Sequence, residues 1–336
     1  MREPGGVASD PPSPQAVMEL VSAFMQSRAL LTACELDLFT VLGGGERSAE
    51  DVARALDVDG RAADRLMNVL VTLGLLEKRA GRFRNAPAAS RFLVRGAPDF
   101  VGGLGHWADL WESWSTLTPA VRKGGTVFAR PAGERGKAWL EAFIAAMHWR
   151  ATQHAPSVVA GLDLTGVSRV LDVGGGSGAY AVAFVRARRE ITALVFDLPS
   201  VLPLTRAYVE QGGLSDRVRV VAGDYDQDPL PVGFDLVLLS AVIHSNSREA
   251  NRALIRKCAA ALNPSGQLVV QDFIVDEERT GPPFAVLFAL NMLVGTPAGD
   301  TYTESEVRSW MEGAGLRSLR RQDMPFGTSL IVGRSA

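Results

Sequence analysis

The amino-acid sequence predicts an α/β protein in which a mostly helical N-terminal part precedes a doubly wound, mainly parallel sheet. From Arg169 to the C-terminus, apolar β-branched segments alternate with helical segments, which is typical of a sheet with helices on both faces. A run of glycines follows the first of these strands and opens a helix. Before Arg169, apolar residues recur at helical spacing, interrupted by one short hairpin signal.

The alternation in the second part predicts seven strands. They are expected at 169–173, 191–196, 218–221, 234–239, 267–275, 316–321 and 328–332. Helices are expected at 180–189 and 249–262, and residues 263–266 (Asn-Pro-Ser-Gly) should end the second of them as a loop. Thr303 and Glu306 have the spacing of a capping box, which predicts the start of a last helix.

Composition narrows the class of protein. The chain has 47% hydrophobic and 21% charged residues, which indicates a globular protein. The formal net charge is −2 without any block of like charges, so nucleic acid is not expected as a partner. The only two cysteines, Cys34 and Cys258, have no paired spacing, so neither a disulfide framework nor a cysteine-based zinc site is expected.

Neither the N-terminus nor any apolar run indicates a membrane protein. Residues 1–14 are rich in Pro, Gly and Ser and lack the apolar core of a signal peptide, so we interpret them as a flexible tail. The longest apolar run, 282–295, is too short for the ~20 residues that span a bilayer, and we expect it to form a buried helix. We therefore expect a cytoplasmic protein without membrane contacts.

The N-terminal part has the pattern of a winged-helix unit. Ser48 is followed by acids, as at a helix N-cap, a second helix is expected at 61–73, and Gly81 lies in a hairpin-like turn. The helix at 61–73 carries few basic residues, which favours packing or dimerisation over DNA binding. The helical pattern at 16–42 has few charges, so its apolar face must be covered, and a partner subunit is a good candidate.

The glycine run follows a strand that contains an acid, Asp172. Gly174, Gly175, Gly176 and Gly178 allow positive φ and let the backbone approach a ligand closely. The spacing differs from the G-x-G-x-x-G of pyrophosphate-binding loops. An acid before the loop disfavours a phosphate and favours a cation, such as the amino group and sulfonium of S-adenosylmethionine.

Two further acids end the next two predicted strands. Asp197, followed by Leu198, is placed to accept the hydroxyls of a ribose. Asp224 is placed to meet an adenine amino group, and Tyr225 to stack on the ring. Each aspartate taken singly is equally compatible with a solvated strand end or a cap. Three acids at successive strand ends of one sheet together favour a nucleoside site.

These features resemble a known family, the class I O-methyltransferases with a winged-helix dimerisation domain, which include plant caffeic acid O-methyltransferase, acetylserotonin O-methyltransferase and bacterial antibiotic-tailoring enzymes. The resemblance covers about residue 17 to the C-terminus. It is carried by Leu-Asp-Val-Gly-Gly-Gly-Ser-Gly at 171–178, Asp197-Leu198-Pro199, Gly223-Asp224, His244, Cys258 and Pro264-Ser265-Gly266.

The resemblance implies a Rossmann-like domain whose last strand is antiparallel, S-adenosylmethionine as cofactor, a homodimer formed through the N-terminal domain, and a place in secondary metabolism. It assigns the cofactor to Asp172, Gly174, Gly175, Gly176, Gly178, Asp197, Leu198, Asp224, Tyr225 and Ser240.

His244 is the catalytic candidate because it follows the fourth strand, where the resemblance places a general base. Ser245-Asn246 replaces the Asp-Trp usual in related enzymes, which leaves open how the base is held. Asp272 stands where relatives often have a glutamate, and its shorter side chain predicts a longer or water-bridged contact with His244. A second family acid would fall near Thr301, where this chain has no carboxylate. Two ligands are too few for a metal site, and none is assigned.

The acceptor pocket is predicted on two helices. Trp139, Phe143 and Met147 share one helix face and suit a flat apolar acceptor, although core or dimer packing explains them equally well. Resemblance favours the acceptor site and adds Asn291 and Met292 as the opposite wall. Asn291 lies within an apolar run, where a buried amide needs a partner, and a polar group of the substrate is one candidate.

We divide the chain into a tail (1–14), a winged-helix dimerisation domain (15–100), a helical linker with acceptor helices (101–160) and a catalytic domain (161–336). The predicted activity is methyl transfer from S-adenosylmethionine to a hydroxyl of a small aromatic acceptor. Carbon, nitrogen or sulfur methylation and a regulator that senses S-adenosylmethionine are alternatives. A nicotinamide-dependent oxidoreductase is disfavoured by the glycine spacing.

Overall fold

A computed structural model describes residues 13–101, 103–127 and 136–336. The described chain divides into two compact units, of which the first ends at Ala108 and the second begins at Asp109. The predicted tail lies outside the described residues up to position 12, and the first helix already starts at Pro14.

The first unit combines helices with a small antiparallel sheet. Its helices are α1 (Pro14–Glu35), α2 (Leu38–Leu42), α3 (Ala49–Leu56), α4 (Gly60–Thr72) and α5 (Pro87–Phe92). Its strands are β1 (Arg47–Ser48), β2 (Leu76–Arg79) and β3 (Arg82–Asn85), in the order β1-β3-β2. Ser48 caps α3 in a capping box with Asp51, so this helix begins where the sequence predicts. Helix α6 (Leu104–Trp114) follows.

The second unit carries the large sheet. Its elements are α7 (Leu117–Lys123), α8 (Gly136–Ala160), β4 (Arg169–Val173), α9 (Ala179–Ala187), β5 (Thr192–Asp197), α10 (Leu202–Gln211), β6 (Val218–Ala222), β7 (Phe234–Ser240), α11 (Arg248–Ala260), β8 (Leu262–Asp272), β9 (Ile274–Val275), α12 (Pro283–Gly295), β10 (Tyr302–Thr303), α13 (Glu304–Gly313), β11 (Arg317–Asp323) and β12 (Ser329–Arg334). A 3-10 turn, Ile243–Ser245, follows β7.

The large sheet has seven strands in the order β11-β12-β8-β7-β4-β5-β6. Strands β4, β5, β6, β7 and β8 are parallel, and β12 runs antiparallel to both of its neighbours. This confirms the predicted seven-stranded sheet with an antiparallel last strand. Because the central strands are parallel, their carboxyl ends meet at one edge, where Ser240 lies beside Gln271 in register.

Both faces of the sheet are buried. Val170 and Leu236 belong to one apolar core, and Leu171 and Val237 belong to the other. Neighbouring residues of a strand point to opposite faces of the sheet. Because both faces are covered, nearly every residue of a central strand must be apolar, as the sequence shows.

The structure corrects two expectations. Strand β8 begins at Leu262, and residues 263–266 form an irregularity within it: Phe234 pairs with Leu262, and the pairing resumes at Leu236 and Gln267. The apolar helix α12 is only partly buried: Ala285, Met292 and Val294 are buried, whereas Phe284 is 44% and Leu287 50% exposed. Its sequence has almost no polar residue, so periodicity could not show which face is covered. Among the described residues, no helix is long and apolar enough to cross a membrane.

Candidate active site

Asp197 ends β5 at the edge of the sheet and is tied to the glycine loop. Its carboxylate accepts the N–H of Gly176 at 2.7 Å and the N–H of Leu198 at 2.7 Å. Burial raises the pKa of Asp197, and these two N–H donors oppose the rise. An ionised carboxylate has about four acceptor positions, so it can still accept further hydrogen bonds from a ligand.

The glycine loop is shaped by sites that have no room for side chains. Gly174, Gly176 and Gly178 have φ values of 67°, 56° and 75°. A Cβ on Gly175 would lie 2.6 Å from the carboxyl carbon of Asp172, which shows that this aspartate is packed under the loop. The predicted glycines are therefore required by the backbone of the turn itself.

Asp172 is fully buried, and among the described residues its carboxyl oxygens have no hydrogen bond of normal geometry, although the backbone N–H of Ala181 lies near them. Burial raises the pKa of Asp172 to about 7, the Ala181 N–H opposes this, and the neighbouring Asp197 carboxylate adds to it. The side chain faces the underside of the loop, so in this structure its charge lies beneath the predicted cofactor site.

The third strand-end acid, Asp224, uses one carboxylate oxygen in a hydrogen bond among the described residues. Asp224 accepts the N–H of Asp226 at 2.9 Å through Oδ1. Tyr225 lies 3.7 Å from where a Cβ on Gly174 would be, so its ring borders the loop, and its hydroxyl donates to Asn246 at 3.3 Å. Burial raises the pKa of Tyr225 to about 12, so this hydroxyl stays protonated and acts as a donor.

Ser240 and Leu198 complete the predicted cofactor set. Ser240 ends β7 and donates to Gln271 Oε1 at 2.5 Å, and Tyr180 donates to the same oxygen at 3.0 Å. Leu198 is 45% exposed, so its side chain is available to an apolar ligand surface. The strand ends thus bring all the predicted cofactor residues to one edge of the sheet.

His244 and Asp272 are in direct contact. Nδ1 of His244 lies 2.8 Å from Oδ1 and 3.1 Å from Oδ2 of Asp272, and the backbone N–H of His244 lies 3.3 Å from Oδ2. The imidazole meets the ring of Phe288 edge-on, with centroids 5.0 Å apart. The prediction of a longer or water-bridged contact between His244 and Asp272 is wrong. The 3-10 turn places the backbone of His244 next to the end of β8, so the shorter side chain of Asp272 still reaches the imidazole.

The residues after His244 supply their own support for the turn. Asn246 is buried and donates to Asn251 Oδ1 at 3.2 Å, and Asn251 in turn donates to the carbonyl of Ile243 at 2.8 Å. Tyr302 donates to the Asn246 carbonyl at 2.5 Å. Hydrogen bonds of asparagine and tyrosine therefore hold the turn that carries His244, at the positions where the sequence analysis noted a departure from Asp-Trp.

The second family acid is absent here. Thr301 is buried, and the neighbouring Asp300 uses its backbone N–H to donate to the His244 carbonyl at 3.0 Å. The Asp300 carboxylate lies 3.6 Å from Arg279 and does not orient the imidazole. Within the described chain, the imidazole of His244 thus contacts one carboxylate, that of Asp272.

The site thus combines a half-buried histidine in contact with a buried carboxylate and acids at the ends of neighbouring strands, and we compared the chain with known proteins. The model of the O-methyltransferase domain matches residues 114–317, and that of the O-methyltransferase dimerisation domain matches residues 18–95. The chain belongs to the O-methyltransferase family.

Relatives cover the enzyme almost from end to end. It is 33% identical to 3-hydroxy-5-methyl-1-naphthoate 3-O-methyltransferase of Streptomyces sahachiroi over 331 residues, 96% of each chain. It is 33% identical to the N,N-dimethyltransferase OxyT of Streptomyces rimosus over 340 residues, 95% of each chain. The solved structure of PigF with SAH, a protein of Serratia sp., superposes with a TM-score of 0.90 at 27% identity and covers 96% of this chain and 100% of that one.

The O-methyltransferase described here therefore uses S-adenosylmethionine, and the nicotinamide alternative is wrong. Its residues fit this cofactor. The strand-end acids suit a positively charged nucleoside, and a Cβ on Gly223 would lie only 2.2 Å from the Phe196 ring, so the chain beside Asp224 must stay flat. The buried carboxyl group of Asp172 lies below the loop, where a positively charged ligand would favour its ionised form.

The predicted acceptor residues lie on α8 and α12. Trp139 and Phe143 stack with centroids 5.2 Å apart and an interplanar angle of 9°. Met147 follows one turn later and is half-buried, while Met292 is buried in α12. The rings thus form one continuous apolar surface on α8.

Asn291 has a protein partner. Its Oδ1 accepts the indole N–H of Trp114 at 2.9 Å. The sequence argument that this amide needs a partner is sound, but the partner of its oxygen is a tryptophan on α6 rather than the substrate. Nothing in the local sequence links two residues 177 positions apart.

Sequence reasoning overlooked two residues of α8. His148 Nδ1 lies 2.9 Å from Ser177 Oγ in the glycine loop, and its ring stacks on Tyr208 at 3.9 Å. Arg150 stacks on the Phe273 ring at 4.6 Å, beside Asp272. Helical spacing was the available signal for Arg150, which follows Met147 by three positions.

Proposed function

We propose that this enzyme methylates a hydroxyl group of a small aromatic acceptor, with His244 as the general base and Asp272 as the residue that orients it. The observation that carries the proposal is the 2.8 Å contact between His244 Nδ1 and Asp272 Oδ1. In the neutral imidazole, Nδ1–H donates to this carboxylate, so the lone pair is on Nε2. That nitrogen is the one that can take a proton from an acceptor.

S-adenosylmethionine, when bound, supplies a methyl carbon already activated by a positively charged sulfur. His244 removes the hydroxyl proton of the acceptor as the oxygen bonds to this carbon, and the carbon–sulfur bond breaks with its electron pair going to sulfur. Alignment supplies a large part of the rate, and a positioned base adds roughly 10²–10⁴-fold.

The aromatic acceptor is supported by the apolar surface of Trp139, Phe143 and Met147 on α8. It is also supported by the relative from Streptomyces sahachiroi, whose name describes O-methylation of a hydroxynaphthoate. Among the cofactor residues, we propose that Asp197 holds the ribose hydroxyls and that Asp224 and Tyr225 hold the adenine.

We further propose that the enzyme is a homodimer through its N-terminal unit. This rests on the dimerisation-domain match at residues 18–95 and on the apolar side chains that α1 exposes. The division into four segments and the cytoplasmic setting stay predictions.

An amine acceptor is the second candidate, because the N,N-dimethyltransferase OxyT is as similar to this chain as the naphthoate enzyme. Transfer of labelled methyl from S-adenosylmethionine to matched naphthols, naphthylamines and naphthalenethiols separates the candidates. We expect turnover with naphthols that depends on His244. Labelling of the amines alone would contradict the proposal and favour nitrogen methylation.

A further inference from the structure

Arg150 is a half-buried cation without an anionic partner in contact. Its guanidinium lies 4.6 Å from the centre of the Phe273 ring, and no hydrogen bond or ion pair to it occurs among residues 13–101, 103–127 and 136–336. Burial lowers the pKa of Arg150, and the attraction of Asp272 opposes this. An arginine stays protonated in proteins, so five N–H donors are left without a protein acceptor in the described chain.

This arrangement is costly unless a ligand completes it. A buried charge is normally paired, because its removal from water is unfavourable. The stacking on Phe273 compensates only partly, since a cation over an aromatic face gains much less than a paired charge does. The donors of a guanidinium form a planar fork that matches the two oxygens of a carboxylate.

The position of Arg150 on α8 indicates which ligand it meets. At about 100° per residue, the eleventh position after Trp139 returns to within about 20° of it, so Arg150 shares the face of Trp139, Phe143 and Met147. His148 points the other way, to Ser177 in the glycine loop. Helix α8 thus presents one face to the cofactor loop and the face of Arg150 to the proposed acceptor.

Arg150 is also close to the base. The Phe273 ring on which it stacks packs 4.7 Å from Phe288, and Phe288 meets His244 edge-on at 5.0 Å. Two aromatic rings therefore separate the guanidinium from the imidazole, a span that a bicyclic aromatic acceptor can bridge.

We propose that Arg150 binds a carboxylate of the acceptor, so that the preferred substrate is a hydroxylated aromatic acid. This inference rests on the proposed methylation of an aromatic hydroxyl, and it specifies that the aromatic acceptor also carries a carboxylate. The carboxylate of the cofactor's amino-acid part has the same chemistry, and the helix face favours the acceptor as its source.

The test compares 6-hydroxy-2-naphthoate, whose hydroxyl and carboxylate lie at opposite ends of the bicyclic ring, with 2-naphthol as acceptors. We expect Arg150→Met to lower the ratio of kcat/KM for the acid to that for the naphthol by roughly 10–100-fold, the range for a lost hydrogen bond to a charged group. Arg150→Lys keeps the positive charge but lacks the planar pair of donors, so its kcat/KM ratio should lie between those of the wild type and Arg150→Met. Arg252→Met, at an exposed site on α11, is the control and should leave the ratio unchanged.

Binding separates this proposal from the methylation proposal. Calorimetry on enzyme loaded with S-adenosylhomocysteine should show that Arg150→Met weakens binding of 6-hydroxy-2-naphthoate even if neither compound is methylated. An unchanged ratio together with unchanged acid affinity would overturn the proposal. A weaker affinity for S-adenosylhomocysteine, with both acceptors reduced alike, would overturn it too and assign Arg150 to the cofactor carboxylate. Thermal melting of both variants checks their folding.

Discussion

The imidazole of His244 and the carboxylate of Asp272 touch at 2.8 Å although 28 positions separate them in the chain. The contact follows from the topology of the sheet. Strands β7 and β8 are parallel neighbours, Ser240 lies beside Gln271 in register, and each catalytic candidate follows within a few residues of that pair. Parallel pairing therefore creates the acid–base pair of the proposed mechanism.

Replacement of His244 by alanine should lower kcat with a naphthol acceptor by roughly 10²–10⁴-fold, because the positioned base is lost. The affinity for S-adenosylhomocysteine should stay nearly unchanged, since the cofactor residues lie elsewhere along the sheet edge. Labelled-methyl transfer and calorimetry measure the two quantities.

An acidic phenol that is already ionised at the assay pH is the internal control for His244→Ala, and the loss of rate should be much smaller with it. Equal losses with ionised and neutral acceptors would show that His244 does not act as a base.

Replacement of Asp272 by asparagine should lower kcat by on the order of 10²-fold or more. The amide can turn its NH₂ group toward His244, which favours the tautomer whose proton is on Nε2 and removes the lone pair needed for catalysis. Asp272→Glu, which restores the acid common in related enzymes, should retain more activity than Asp272→Asn. The pH profile of kcat decides: if the asparagine variant keeps the profile and rate of the wild type, Asp272 has no orienting role.

Most of the fold was predictable from the sequence because the pattern of apolar strands is local. Alternating apolar segments gave the seven strands, and the capping boxes at Ser48 and Thr303 fixed two helix starts. The exposure of α12 was not predictable, because a helix that is apolar on all sides does not indicate which face is covered.

The site was predictable where it depends on strand ends and not where it depends on distant pairs. The acids Asp197 and Asp224 follow strands directly, so their placement needs only the parallel topology. The bond between Asn291 and Trp114 depends on tertiary packing that no local pattern encodes. The short side chain of Asp272 led to the wrong prediction of a long or water-bridged contact with His244. The distance depends instead on the backbone of the 3-10 turn, which brings His244 close to Asp272.

Replacement of Asp197 by asparagine should weaken binding of S-adenosylhomocysteine by roughly 10–100-fold, because a charged acceptor of hydrogen bonds is lost. At saturating cofactor, kcat should change much less, since Asp197 does not contact the acceptor in the proposed arrangement. Calorimetric titration measures the affinity. Asp226→Asn, at an exposed position nearby, is the matched control, and an equal loss in both variants would contradict the assignment.

Asp172 should make the stability of the cofactor-free enzyme fall with rising pH. Its pKa is about 7 in the folded state against an ordinary 3.8, so between about pH 4 and 7 the folded state keeps a proton that the unfolded state has released. The stabilisation is complete below pH 4 and is lost as the pH rises through 7. The two pKa values correspond to about 4 kcal/mol at most.

Urea denaturation at pH 5 and pH 8 tests this. Asp172→Asn keeps the size of the side chain but cannot ionise, so the free energy of unfolding of the variant should rise relative to the wild type on going from pH 5 to pH 8. The exposed Asp57→Asn should show no such change. Parallel pH dependence of wild type and Asp172→Asn would mean that the carboxyl group is ionised in the folded protein over this range, as it is in the unfolded chain, and would contradict the raised pKa.

The exposed side of α1 should hold the dimer together. Leu20 is 75% and Val21 60% exposed in the single chain, and the helix also exposes Val17, Met18, Phe24 and Met25. Such an apolar surface is normally covered in solution. We expect Leu20→Arg to convert a dimer to a monomer, as measured by light scattering after gel filtration, because a buried, unpaired charge opposes association. Gln26→Arg, on the opposite side of α1, is the control and should stay dimeric. A wild-type chain that is monomeric at micromolar concentration, or a Leu20→Arg variant that stays dimeric, would show that this face has another role.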